Sequence, residues 1–247
     1  MDNKKDKKNL TKTTTFVCFD IETTGLNPQN EKIIEIGALK VIDGKIVGNF
    51  SELINPQVPL SKMITNLTGI SDDMVKDADT EENVIKRFLD FAGDYIVMGH
   101  NIKFDYSFIK TAAKRYKINF ERLGIDTLDI SRKMLRDLES RSLESLCKYY
   151  QITNNHAHRA YDDAKATTLL YVNLCNQFYL DNPDVFTPKP LIYKAKKIQA
   201  ITNKQKNYLI DLLKYHNIED VQPIDTLTQS EASKWIDRII LEYGRIN

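Results

Sequence analysis

The chain has 247 residues, enough for one sizeable α/β domain and an appendage, and its 42% hydrophobic content provides for a packed core and argues against wholesale disorder. No apolar run approaches membrane-spanning length, and the Lys-rich start lacks the apolar centre of a signal peptide, so neither a membrane protein nor an exported one is expected. The net charge of +1 is uneven: residues 1–15 carry +3, residues 16–180 carry −3 and residues 181–247 carry +1. A slightly acidic middle suits cation-binding carboxylates, and basic flanks suit a polyanion. Cys18, Cys147 and Cys175 are widely spaced in apolar company and lack zinc-type spacing, as reduced core cysteines of a cytoplasmic protein would be.

In chain order, residues 1–14 are polar and aperiodic and read as a disordered basic arm. Phe16 to Ile21 reads as a buried strand that ends in a Thr23-Thr24-Gly25 turn. Residues i and i+2 of a strand share a face, so Asp20 and Glu22 point the same way at its end. Two carboxylates in a poorly solvated place are costly to ionise, and a hard divalent cation such as Mg²⁺ or Mn²⁺ removes that cost. Alone, Asp-x-Glu is equally well a strand whose polar face meets solvent, so the case depends on the remaining ligands.

A second strand is expected over Ile33–Leu39, a hairpin at Asp43-Gly44 and a third strand over Ile46–Ile54, which makes an opening antiparallel meander. Residues 55–80 read as a Pro-rich connection, and Thr80 as the cap of a helix running to about Phe91. A short strand, Tyr95–Met98, leads into Gly99-His100-Asn101 and a helix to about Tyr116. On that helix Asp105 stands at the head of the apolar stripe of Phe108, Ile109 and Ala112, where a surface helix would not normally place an acid. Helices are also expected over Leu128–Leu138 and Leu143–Tyr149, and a long one from about Ala160 to Tyr179, after a polar loop that carries His156 and His158.

Asp162 and Asp163 both open this long helix. Ala160, Ala164, Thr167, Tyr171, Leu174 and Phe178 mark its buried face, and Asp163 lies nearer to that face than Asp162 does. Five residues within one helix would turn His158 and Asp163 about 140° apart. His158 is therefore expected in the preceding loop, free to fold back. Prolines 183, 188 and 190 mark a linker over residues 181–193, and residues 194–247 read as a small basic helical hairpin.

Three packets of acid and one imidazole thus accompany apolar sequence: Asp20 with Glu22, Asp105, and Asp163 preceded by His158. That set matches two-metal phosphodiester hydrolysis, in which ions roughly 3.5–4 Å apart clamp the scissile phosphate and a base accepts the proton of the attacking water.

The motifs Phe19-Asp20-Ile21-Glu22-Thr23-Thr24-Gly25-Leu26, His100-Asn101-x-x-Phe104-Asp105 and His158-Arg159-Ala160-x-x-Asp163-Ala164, with Leu67-Thr68-Gly69-Ile70 between the first two, occur in order over about residues 15–180. With them the chain resembles the DnaQ-like DEDDh 3′–5′ exonucleases, most of all the exonuclease domain of the C-type bacterial polymerase, and also the proofreading epsilon subunit and ribonuclease T. The resemblance implies a ribonuclease-H-like α/β fold: a mixed five-stranded sheet flanked by helices, with the helical hairpin appended. It implies Asp20, Glu22, Asp105 and Asp163 as ligands of two divalent cations, Mg²⁺ or Mn²⁺, and His158 as the general base. The backbone near Thr23, Leu26 and Asn101 would hold the 3′-terminal nucleotide, with Leu26 wedged against its base. His100 fits a structural hydrogen-bonding role and His156 a loop position. The expected function is 3′–5′ removal of nucleotides from single-stranded DNA, with a DNA polymerase as a candidate partner. An exoribonuclease of the same fold and a polymerase-associated accessory subunit are the alternatives, and a binding module with a dead site is disfavoured by the intact five-residue set.

Overall fold

A computed structural model describes residues 12–154, 157–194, 199–218 and 223–246. The basic arm up to residue 11, His156, Lys196 and Lys197 lie outside the described residues.

Alternation along the first strand organises the first unit. In β1 (Phe16–Thr23) Val17, Phe19 and Ile21 enter one core, and Phe16 and Cys18 enter another on the opposite face. Burial on both faces is why the strand reads as a nearly unbroken apolar run. β1 pairs antiparallel with β2 (Ile33–Ile42), and β2 pairs antiparallel with β3 (Lys45–Asn55), which is the expected meander. On its other side β1 runs parallel to β5 (Val97–Gly99), which pairs parallel with β6 (Leu123–Asp126).

The described sheet has seven strands rather than five, in the order β4-β3-β2-β1-β5-β6-β7. The two additions, β4 (Asp79–Thr80) and β7 (Lys189–Pro190), are two-residue strands at its edges, too short to leave a periodic signal. The connection over residues 55–80 also folds, into α1 (Lys62–Thr68), capped by Ser61 and ended by left-handed Gly69, and α2 (Asp72–Val75). Ile34, Leu60, Ile70 and Val75 form a small core of their own there.

The helices α3 (Glu81–Ala92) and α4 (Ile102–Arg115) cover the face that holds Val17, Phe19 and Ile21. The opposite face is covered by α5 (Thr127–Met134), α6 (Leu143–Tyr150) and α7 (Ala160–Phe178). Gly37 of β2 is where α7 crosses the sheet: a Cβ there would overlap the backbone of Ala160 and Tyr161. Backbone at a helix start cannot step aside as a flexible side chain can. Gly37→Ala is therefore expected to lower stability by about 1–3 kcal/mol, the usual cost of overpacking, read as a lower urea midpoint at unchanged slope. An unchanged midpoint would show that α7 is held less closely than the structure places it.

Residues 181–193, read above as a linker, are packed into the first unit. Phe186 stacks against Tyr171 and Tyr179, Leu191 joins the α3/α4 core, and Lys189–Pro190 pairs with β6. The first compact unit ends at Lys194, and a second follows it in the chain. The described helices of the second, α8 (Asn203–Tyr215) and α9 (Gln229–Tyr243), both open with a capping box, Thr202 with Gln205 and Thr228 with Glu231, and close over Leu209, Leu212, Leu213, Ala232, Ile236 and Ile239. No helix among the described residues is long and apolar enough to cross a membrane.

Candidate active site

Continuing the alternation of β1 past Phe16 and Cys18 puts Asp20 and Glu22 on the face covered by α7. Asp163, in the first turn of α7, comes to meet them. Asp105 arrives from the first turn of α4, where its Oδ1 accepts from the Ile21 amide at 3.2 Å, between the two acids of β1. Asp20, Glu22, Asp105, Asp163, His158 and Asn101 all line one cavity of ≈730 Å³. Ligand atoms of Glu22, His158 and Asp163 lie within 4.8 Å of one another.

Asp163 is buried, accepting from Asn154 Nδ2 at 2.7 Å and from the His158 amide at 2.9 Å. Asp162 is only half-buried. His158 lies in the loop before α7, exposed, with a left-handed backbone at φ 65°. His100 is held at both ring nitrogens, 2.9 Å from Thr127 Oγ1 and 2.9 Å from the Arg141 carbonyl. That carbonyl can only accept, so Nε2 carries the proton. Burial pushes the ring down to about 4, which leaves it neutral and structural. Asn101, also left-handed, donates its amide to Asp126 at 2.9 Å. Thr23 is buried and donates its hydroxyl to the Gly25 carbonyl, and Leu26 stands 85% exposed in the turn after β1; neither lines the cavity.

The acids are electrostatically costly where they stand. Burial, then the charges of Asp105, Asp163, Glu22 and Glu35, raise Asp20 well above the carboxylate range. Burial also raises Asp105 and Asp163. Glu22 is pushed up to about 8, first by burial and then by Asp163, Glu35 and Asp105, with Arg159 opposing. The Asn154 side-chain oxygen is buried without a hydrogen-bond partner. Four hard oxygen donors that resist ionisation in each other's company form a donor set for divalent metal ions, and the residues present fit such ions.

A stability signature follows. Between about pH 4.5 and 8 the unfolded chain ionises Glu22 while the folded, metal-free chain keeps it protonated, so stability falls as pH rises through this window. A cation competes with those protons. The melting temperature of EDTA-treated protein is expected to fall between about pH 5 and pH 8, and saturating Mg²⁺ or Mn²⁺ is expected to raise it by roughly 5–10 °C at the upper pH, and by less at the lower. Equal stabilisation at both pH values, or none, would separate the acids from cation binding.

Two contributors were not singled out from the sequence. Glu35 of β2 stands opposite Glu22 in register and is bound by Arg159, and Asn154 holds Asp163. A charged residue inside Ile33-Ile34-Glu35-Ile36 was the available signal for the first. Asn154 gave none, because its partner lies across a loop.

The family model described as "Exonuclease" matches residues 17–171, and the chain belongs to that family. It is 46% identical over 159 residues to the PolC-type DNA polymerase III of Caldanaerobacter subterraneus subsp. tengcongensis, covering 64% of this chain and 11% of that relative. The chain thus spans only about a ninth of the length of that polymerase. Among solved structures, Exonuclease X in complex with 5′ overhanging duplex DNA superposes with a TM-score of 0.56 at 26% identity, over 70% of this chain and 99% of the other. E. coli Exonuclease I in complex with a dA16 oligonucleotide gives 0.60 at 20% identity, over 70% and 42%. The α/β, ribonuclease-H-like architecture is that of these neighbours.

Proposed function

We propose that this chain is a 3′–5′ exonuclease that removes nucleotides from the 3′ ends of single-stranded DNA. The observation that carries the reading is the convergence of Asp20, Glu22, Asp105, Asp163 and His158 on one cavity, in a chain of the exonuclease family. The four acids would hold two divalent cations, Mg²⁺ or Mn²⁺. What bound cations supply is neutralisation of the scissile phosphate and Lewis acidity toward its oxygens. His158, exposed at the rim, accepts the proton of the attacking water as its oxygen bonds to phosphorus; the P–O3′ bond breaks and the departing 3′ oxygen takes a proton from solvent. The backbone near Asn101, Thr23 and Leu26 would help hold the terminal nucleotide at the mouth of the cavity, and the exposed Leu26 side chain would pack against its base. Kinship with PolC-type polymerases favours a DNA polymerase as partner. Three free, buried cysteines fit a cytoplasmic location.

The substrate is tested by giving the protein, with Mn²⁺, 5′-labelled single-stranded DNA and RNA of one sequence. Faster shortening of the DNA supports the proposal; faster shortening of the RNA makes the chain an exoribonuclease.

The hairpin is proposed as an accessory to binding. Lys204 and Lys206 lie on α8, with Lys206 paired to Asp225, and Lys194 is the last residue of the first unit. A chain ending at Lys194 keeps Phe186, β7 and Leu191 and is expected to fold and to degrade short oligonucleotides. Its affinity for long strands is expected to fall, with a shallower salt dependence. Unchanged affinity for long strands would assign the hairpin another role, and an insoluble product would make it part of the folding unit.

A further inference from the structure

We infer that Glu35 is a positioning residue for His158, an inference that rests on the exonuclease reading above. Glu35 faces Glu22 across β1 and β2 and is 1% exposed, so it stands on the same face as the catalytic acids. It is nevertheless unavailable to a cation, because both of its oxygens are engaged. Arg159 grips it with Nη2 at 2.8 Å from Oε1 and Nε at 3.2 Å from each oxygen, and the Ala160 amide donates to Oε2 at 3.0 Å.

Those two partners are the residues that follow His158. Arg159 is the N-cap of α7 and makes no side-chain cap, so the first amide of the helix would lack an acceptor without Glu35. His158 itself sits at φ 65°, in the left-handed region that residues with a side chain occupy infrequently. Asp163 holds its amide from one side, and Glu35 holds the next two residues from the other. The imidazole is thereby kept within 4.8 Å of the Glu22 and Asp163 ligand atoms. Glu35 touches none of the reacting atoms; it acts through the segment that carries the base.

The test measures Glu35→Gln in two backgrounds, the unaltered chain and His158→Ala, in the 247-residue chain with saturating Mn²⁺ and 5′-labelled single-stranded DNA. In the unaltered background kcat is expected to fall about 10–100-fold, with KM within about threefold, the pattern of a misplaced catalytic group. In the His158→Ala background the same change is expected to cost less than about twofold, because the group it positions is gone. An equal fall in both backgrounds would make Glu35 a support of the whole site, and an unaltered kcat in the first background would show that it positions nothing; either overturns the inference. If Glu35→Gln does not fold, Arg159→Lys, which keeps the charge but loses the planar fork, is judged in both backgrounds by the same criterion. An unaltered chain that cleaves nothing overturns the exonuclease reading, and this inference with it.

Discussion

Asp163→Asn is expected to abolish hydrolysis, and Asp162→Asn to leave it within a few-fold of the unaltered chain. The two are sequence neighbours on one helix, yet α7 turns them apart. Asp163 is 7% exposed, lines the cavity and has both oxygens aimed among Asn154, His158 and the acids of β1. Asp162 is half-buried and adds its charge to that around Arg159. Asparagine preserves the shape of either side chain but removes a negative donor. At position 163 that loss falls on charge stabilisation in the transition state, worth several kcal/mol, or about 10³-fold in rate. At position 162 it falls on an acid near a helix N-terminus, worth roughly 0.3–1 kcal/mol of stability and little rate. Both variants on one labelled substrate, with cation-dependent melting as a second readout, decide it. The reverse ranking would mean that α7 is rotated from the position described here.

His158→Ala is expected to lower kcat about 10²–10⁴-fold, the usual worth of a general base. The four acids are untouched, so stabilisation by Mn²⁺ should be retained. This second readout matters because the imidazole lies within ligating reach of Glu22 and Asp163. A base removed costs rate and leaves cation affinity; a ligand removed costs both. Near-normal turnover would pass the proton-accepting role to solvent or to His156.

Much of this was legible in the sequence because it is local. The alternation of β1 places Asp20 and Glu22 on one face without knowledge of any other element. The apolar stripe of α7 separates Asp163 from Asp162, and the 140° argument puts His158 before the helix, where the structure has it. The hairpin at Asp43-Gly44 and the cap at Thr80 are likewise short-range, and both are present. Most of what escaped depends on partners far away in the chain. β6 offers only Leu123-Gly124-Ile125-Asp126, and it becomes a strand by pairing with β5. Residues 181–193 look like a linker because prolines punctuate them, but Phe186 and Leu191 find cores built from helices α3, α4 and α7. The helix α1 had its signals, Ser61 at the start and Gly69 at the end, hidden beside Pro56 and Pro59. Glu35 is the instructive case. An acid inside the apolar run Ile33-Ile34-Glu35-Ile36 has no partner within reach in the sequence, and only the fold shows that Arg159, 124 positions later, satisfies it.

The most direct test of the account is the first product released from a 3′-labelled single strand of DNA. With Mg²⁺ or Mn²⁺ present, the label should leave as a mononucleotide from the first turnover, while the same strand labelled at its 5′ end shortens one nucleotide at a time; chelation by EDTA should stop both. Labelled fragments longer than one nucleotide as first products, or full cleavage in EDTA, would contradict a carboxylate-held metal centre working inward from the 3′ end.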